Sequence, residues 1–216
     1  MFSRLREYRV IPTAADLDET TAIDLADALH SAGLPVLMLQ YKNHNDAIVI
    51  RKILEKYPDF IIGVNGILNA DLVMRAYDAN AKFMLSPGVC EGVIKEAKER
   101  NLELASGVCT PTEIMRTLYL GMTDIHFFPA QFIGGAPMLE DILKPFEHLK
   151  LNVIVNGGIT EDCLKEYLAL ESVAAIVTPW IVTENDIEYK QWGDVHDKAL
   201  KLKEMINNKR VIYFNK

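Results

Sequence analysis

The sequence lacks the features that mark membrane, secreted or nucleic-acid-binding proteins. No apolar run reaches the roughly 20 residues that a membrane-spanning helix needs, and residues 1–9 lack the hydrophobic segment of a signal peptide. Cys90, Cys109 and Cys163 show no paired spacing, which excludes a zinc knuckle or a disulfide framework. Lys and Arg are scattered through a chain of net charge −7, unlike the basic patch that nucleic acid requires. We therefore expect a cytoplasmic protein that binds neither membrane nor nucleic acid.

The chain also lacks low-complexity linkers and blocks of like charge, so nothing divides its 216 residues. Short apolar segments alternate with amphipathic ones, and this pattern predicts a single-domain (β/α)8 TIM barrel over residues 1–216. The predicted strands are 8–12, 35–41, 60–64, 82–86, 102–106, 123–130, 151–155 and 173–178; the predicted helices are 18–32, 46–57, 69–80, 90–100, 110–121, 136–149, 161–169 and 187–207.

Several helices carry recognisable start signals. Asn69 is the predicted N-cap of the third helix. The fifth begins with Thr110 as N-cap, Pro111 in the first turn and Glu113 at the third position, the pattern of a capping box. Pro145 is expected to end the sixth helix early. The apolar tail 211–214 needs a surface to cover it, under the barrel or at a subunit contact.

The sixth strand is the most informative stretch. Because side chains alternate along a strand, Asp124, His126 and Phe128 share one face, and Ile125 and Phe127 share the other. Pro129 then ends the strand, since it has no amide hydrogen for the ladder.

This stretch resembles strand six of the 2-keto-3-deoxy-6-phosphogluconate (KDPG) and 4-hydroxy-2-oxoglutarate (KHG) aldolases, which are small TIM barrels. The resemblance extends along the chain and rests on Phe127 to Ala130 followed by Gly134 and Gly135, the turn Ser86 to Gly88, and the loop Gly157 to Ile159. It implies an aldehyde-lyase family, a homotrimeric assembly, a keto-acid or sugar-acid substrate, and no cofactor or metal.

The family's catalytic positions hold different residues here. The family places its Schiff-base lysine where this chain has His126, its proton-transferring glutamate at Met38, and its carboxylate-binding arginine at Lys42. Pro179 replaces a residue whose backbone amide completes the family's phosphate site. An imidazole cannot condense with a keto group to form an iminium. Class I aldolase activity is therefore expected to be absent or altered.

Polar residues nevertheless remain at the mouth of the predicted barrel. Candidate substrate-binding residues are Gln40, Lys42, Asn65, Ser86, Pro87, Phe128 and Asn156, with Gly157 and Gly158 as candidate anion-binding amides. The two glycines are alternatively a tight turn into the next helix. Lys42 is a carboxylate-binding group, a relocated Schiff-base amine or a solvated lysine.

His126 has four open interpretations: a general acid/base, a hydrogen-bonding group for a ligand, a metal ligand together with His44, or a space-filling neutral ring. Three functions stay open as well. One is an aldolase-like lyase with altered chemistry in a keto-acid or sugar-acid pocket. Another is a non-catalytic barrel that binds a small anion or a partner, and the third is an enzyme outside the family's chemistry, such as an isomerase.

Overall fold

The structure, a computed structural model, describes residues 2–213, and the side chains of residues 5–206. Its strands form a closed barrel in which every neighbouring pair is parallel and the order follows the sequence. The predicted single-domain TIM barrel is therefore confirmed. The strands are β1 Val10–Ala14, β2 Val36–Gln40, β3 Ile61–Asn65, β4 Phe83–Leu85, β5 Glu103–Val108, β6 Asp124–Phe127, β7 Asn152–Val155 and β8 Val173–Thr178.

Helices cover the outside of the barrel, and their start signals match the sequence. Asn69 and Thr110 accept hydrogen bonds from the first turns that follow them, and Glu113 completes the capping box. No helix within the described residues is long and apolar enough to cross a membrane. The helices are α1 Phe2–Tyr8, α2 Glu19–Ser31, α3 His44–Lys56, α4 Ala70–Asp78, α5 Glu91–Glu99, α6 Pro111–Tyr119, α7 Gly135–Leu143, α8 Glu161–Ala169, α9 Glu184–Glu188 and α10 Trp192–Tyr213.

The structure differs from the prediction at both ends of the chain. Residues 2–8 form α1, and β1 begins two residues later than predicted. Leu5 is fully buried, and Arg6 donates hydrogen bonds to the Glu171 carbonyl and to Asn152. Because Asn152 and Glu171 lie at or just before the starts of β7 and β8, α1 covers the N-terminal end of the barrel.

The predicted final helix 187–207 is two helices. A capping box between Thr183 and Asp186 starts α9 upstream of the predicted position, and Lys190 ends it with a left-handed backbone (φ 52°). The sixth outer helix ends early, as Pro145 predicted: α7 stops at Leu143, and a 3-10 turn follows from Lys144 to Leu149. The predicted apolar tail 211–214 lies outside the residues whose side chains are described.

The barrel interior beneath the mouth is apolar. Met38, Gly63 and Phe83 are register partners on β2, β3 and β4, and the side chains of Met38 and Phe83 are fully buried. A Cβ atom at Gly63 would lie 2.2 Å from Cζ of Phe83, so the ring occupies the space above the glycine. Met38 is therefore part of a packed hydrophobic layer.

Candidate functional site

A cavity of about 1000 Å³ opens at the C-terminal end of the barrel, where TIM-barrel active sites lie. Gln40, Lys42, Asn65, His126 and Asn156, which strand parity and loop position predicted to converge, all line it. Pro87 and Phe128 line it as well. The structure thus brings together seven of the predicted site residues. The remaining lining residues are Thr13, Ala14, Ala15, Asp16, Tyr41, Gly66, Leu68, Leu72, Pro179, Val182, Glu184, Ile187 and Glu188.

His126 lies on β6 and is only 3% exposed. Its Nδ1 lies 2.9 Å from the carbonyl oxygen of Ser86, and its ring stacks on Phe128 with 5.3 Å between centroids. A carbonyl oxygen only accepts hydrogen bonds, so Nδ1 carries the hydrogen and Nε2 presents a lone pair. Among the described residues Nε2 has no hydrogen-bond partner. The ring is fixed, and its one free polar atom is an acceptor.

Burial also determines the charge of this ring. Removing the imidazole from water disfavours its protonated form and lowers the pKa of His126 to about 4; the hydrogen bond to Ser86 opposes this only in part. His126 is therefore neutral at neutral pH. A ring in this state is a poor proton donor there and a weak base, and its strongest property is that of a hydrogen-bond acceptor.

Gly107 allows the turn after β4 to approach His126. It is the register partner of His126 on β5. A Cβ atom at this position would lie 2.1 Å from the carbonyl carbon of Pro87 and 2.4 Å from the Gly88 nitrogen. Only a glycine leaves room for this backbone, which carries the Ser86 carbonyl that holds the imidazole. The Ser86 hydroxyl donates to the Gly88 carbonyl at 2.8 Å and closes the turn.

Lys42 lies at the rim of the cavity in an ion pair. Its Nζ is 2.7 and 3.0 Å from the two carboxylate oxygens of Asp16. The side chains are 42% and 65% exposed, and an exposed pair of this kind contributes about 0–1 kcal/mol. A ligand carboxylate can therefore compete with Asp16 for the ammonium. The loop is itself well anchored, because Asp46 accepts hydrogen bonds from the backbone amides of Lys42 and Asn43.

Three amide side chains complete the polar part of the mouth. Gln40 and Asn65 are register partners at the ends of β2 and β3. Asn156 follows β7, and its backbone bonds with Phe127 and Ala130 fix its position beside the β6 loop. Each amide offers two donors and one acceptor oxygen, so this side of the cavity can hydrogen-bond a carboxylate or several hydroxyls.

The acidic residues at the mouth of the cavity were not predicted from the sequence. Asp16 follows β1, and Glu184 and Glu188 lie on α9; all three line the cavity. The predicted strand 8–12 ended too early to put Asp16 at the strand end. The spacing of Glu184 and Glu188, one helical turn apart, was a usable signal, but Glu184 preceded the predicted helix.

Ser86, Gly157 and Gly158 are not part of the cavity lining formed by the described residues. Ser86 instead fixes the His126 ring through its backbone carbonyl, which accepts the Nδ1 hydrogen. The two glycines have positive φ angles of 103° and 75°, and Cβ atoms there would lie 2.8 Å from Pro129 and 2.9 Å from Gln131. Since the amide of Gln131 also donates to the Gly157 carbonyl, this loop packs on the β6 loop. The geometry favours the tight-turn alternative.

Met38 and His44 do not line the cavity. Met38 is buried in the apolar layer below it. His44 is the first residue of α3 and is exposed. No group of three His, Cys, Asp or Glu side chains in the described part of the chain is arranged to hold a metal ion.

The sequence model of the KDPG and KHG aldolase family matches residues 1–198. This chain belongs to that family. The KHG/KDPG aldolase of Escherichia coli K12 is 32% identical over 193 residues, which cover 89% of this chain and 88% of that protein. The 2-dehydro-3-deoxy-phosphogluconate aldolase of Haemophilus influenzae is 29% identical over 195 residues, 90% of this chain and 91% of the relative.

Solved structures of the family superimpose closely on this barrel. The KDPG aldolase of Legionella pneumophila, with pyruvate captured as a covalent carbinolamine, gives a TM-score of 0.87 at 27% identity, covering 94% of this chain and 98% of that one. The KDPG aldolase of Zymomonas mobilis ZM4 with 3-phosphoglycerate gives 0.83 at 26% identity, covering 93% and 94%. The predicted family resemblance is therefore confirmed.

Proposed function

We propose that this family member binds a small keto acid or sugar acid in the barrel mouth without the Schiff-base chemistry of a class I aldolase. The observation that carries the proposal is the state of His126. A carbinolamine forms by attack of an amine on a keto carbon, and this position offers a buried, neutral imidazole instead. Met38, in its packed apolar layer, supplies no carboxylate to move protons.

Lys42 is the one lysine among the described cavity residues, and its surroundings favour carboxylate binding over Schiff-base formation. A Schiff-base lysine attacks as the neutral amine, usually within a desolvated pocket. Lys42 is exposed and its ammonium is held by Asp16. The same positive charge, beside the amides of Gln40 and Asn65, suits the carboxylate that keto acids and sugar acids share.

The geometry favours ligand recognition over acid/base catalysis at His126. With its Nδ1 hydrogen committed to Ser86 and its pKa lowered by burial, the ring has only an acceptor atom left, Nε2. A hydroxyl of the ligand, or the enol of a keto acid, would donate to Nε2. A non-catalytic barrel that binds a small anion or a partner is the second candidate, and the neutral His126 also fits it.

Borohydride trapping with pyruvate, followed by peptide mass spectrometry, tests this proposal. The wild-type protein should yield no adduct at position 126 or at Lys42, whereas the Escherichia coli relative serves as a positive control. His126→Lys should gain an adduct, because it returns an amine to the position. An adduct on Lys42 of the wild-type protein would contradict the proposal and establish a relocated Schiff base.

A homotrimer is the assembly that we propose, by analogy with the family. Large apolar side chains exposed on the described surface, among them Met115 and Tyr119 on α6 and Phe132 after β6, support a covered face. Tyr119 is 90% exposed in the single chain, so burial by neighbouring subunits would remove substantial apolar area from water.

A further inference from the structure

The charges around the cavity are unevenly distributed. Asp16, Glu184 and Glu188 contribute three carboxylates, whereas Lys42 contributes the one permanent positive charge among the described lining residues. Lys42 is already paired with Asp16. Neither Glu184 nor Glu188 forms an ion pair with another described residue. The cavity therefore has a neutral, donor-rich side and a side with uncompensated negative charge.

That negative side is the wall that follows β8, formed by Pro179, Val182, Glu184, Ile187 and Glu188. Pro179 has no amide hydrogen to donate. At the start of α9, the amides of Thr183 and Asp186 are already used within the capping box. The wall offers a ligand apolar contacts and carboxylate acceptors, and it repels a phosphate, which carries about −1.5 to −2 charges at pH 7.

His126 gives an independent indication of the same ligand chemistry. His126 lines the cavity and is only 3% exposed, and its buried Nε2 has no partner among the described residues. An unpartnered buried polar atom destabilises the free protein, and a ligand that satisfies it gains affinity. Because Nε2 is an acceptor, that ligand must bring an O–H or N–H group.

We propose that the cavity selects unphosphorylated acids whose end opposite the carboxylate carries hydrogen-bond donors, hydroxyl or amino groups. The carboxylate lies at the side of Lys42, Gln40 and Asn65. A hydroxyl along the chain donates to Nε2 of His126, and the far end donates to Glu184 and Glu188. This assignment rests on the proposed carboxylate pocket and adds its selectivity.

Three acids that differ only at the far end test the selectivity by calorimetry at constant ionic strength. Gluconate ends in a hydroxyl, 6-amino-6-deoxygluconate in an ammonium and 6-phosphogluconate in a phosphate. The first two should bind the wild-type protein at least about tenfold more tightly than the third, since one charge-assisted hydrogen bond accounts for such a ratio. The double variant Glu184→Gln with Glu188→Gln should reduce this ratio of affinities, unphosphorylated acid over phosphogluconate, to less than about threefold.

The matched control is Glu140→Gln with Glu147→Gln. It removes the same charge from two exposed glutamates at the N-terminal end of the barrel, and it should leave the ratio unchanged. Circular dichroism checks that each double variant is folded. Phosphogluconate binding as tightly as gluconate, or a ratio that survives the Glu184 and Glu188 substitutions, would overturn the selectivity and leave the carboxylate pocket standing. No binding of any of the three acids at millimolar concentration would overturn both.

Discussion

His126 should make the folded protein sensitive to mild acid. Its pKa is about 4 in the folded chain against 6.5 for an unperturbed histidine. Because the folded value is the lower one, the unfolded state binds the proton first as the pH falls. The stabilisation associated with the neutral ring is therefore complete above pH 6.5 and is lost as the pH falls towards 4, in total about 3 kcal/mol.

The window between pH 7.5 and pH 5 isolates this effect from most carboxylate titrations. Over that range the histidine alone should lower the free energy of unfolding by about 2 kcal/mol. Urea unfolding of the wild-type protein and of His126→Gln at several pH values measures it. The variant lacks the titrating ring, so its stability should fall by about 2 kcal/mol less over the same range.

His148→Gln is the matched control, because His148 is exposed. Its stability should follow the wild-type pH dependence. If His126→Gln and the wild-type protein lost stability in parallel between pH 7.5 and pH 5, the ring would not be held neutral by burial. The role of His126 as a fixed acceptor would then fail with it.

Three further predictions concern the cavity, the fold and the assembly. Asp16→Asn should free Lys42 and tighten the binding of the best keto or sugar acid from a thermal-shift screen by up to about fivefold, because an exposed ion pair contributes at most about 1 kcal/mol. Lys42→Met should abolish the thermal stabilisation by the same acid. Equal shifts of the melting temperature in both variants would refute the carboxylate-binding role of Lys42. Gly107→Ala should lower the free energy of unfolding, measured by urea denaturation, by about 1–3 kcal/mol, because its methyl group would clash with the Pro87 backbone. Unchanged stability would mean that the turn after β4 can move away. Analytical ultracentrifugation at micromolar concentration should give a trimer, and a monomer would refute the assembly.

Most of the barrel could be predicted because its signals are local. Helix α8 and strand β8 begin and end at the predicted residues, since period and turn chemistry agree there. The capping box is likewise a local signal, because Thr110 and Glu113 are only three residues apart. The predicted strand start at Tyr8 was wrong because packing makes residues 2–8 a helix. The predicted helix start at Ile187 was wrong because the N-cap Thr183 lies outside the apolar pattern.

The chain alone therefore determined the fold, the family and the place of His126 on the inward face of a strand, because strand alternation and motif spacing are properties of neighbouring residues. Tertiary structure decided the charge and the hydrogen-bonding role of that histidine. Its neutrality follows from burial beneath a turn on another strand, which Gly107 allows to approach. It also decided the charge of the cavity, because Asp16, Lys42 and the α9 glutamates line one cavity only when the barrel closes and brings β8 beside β1.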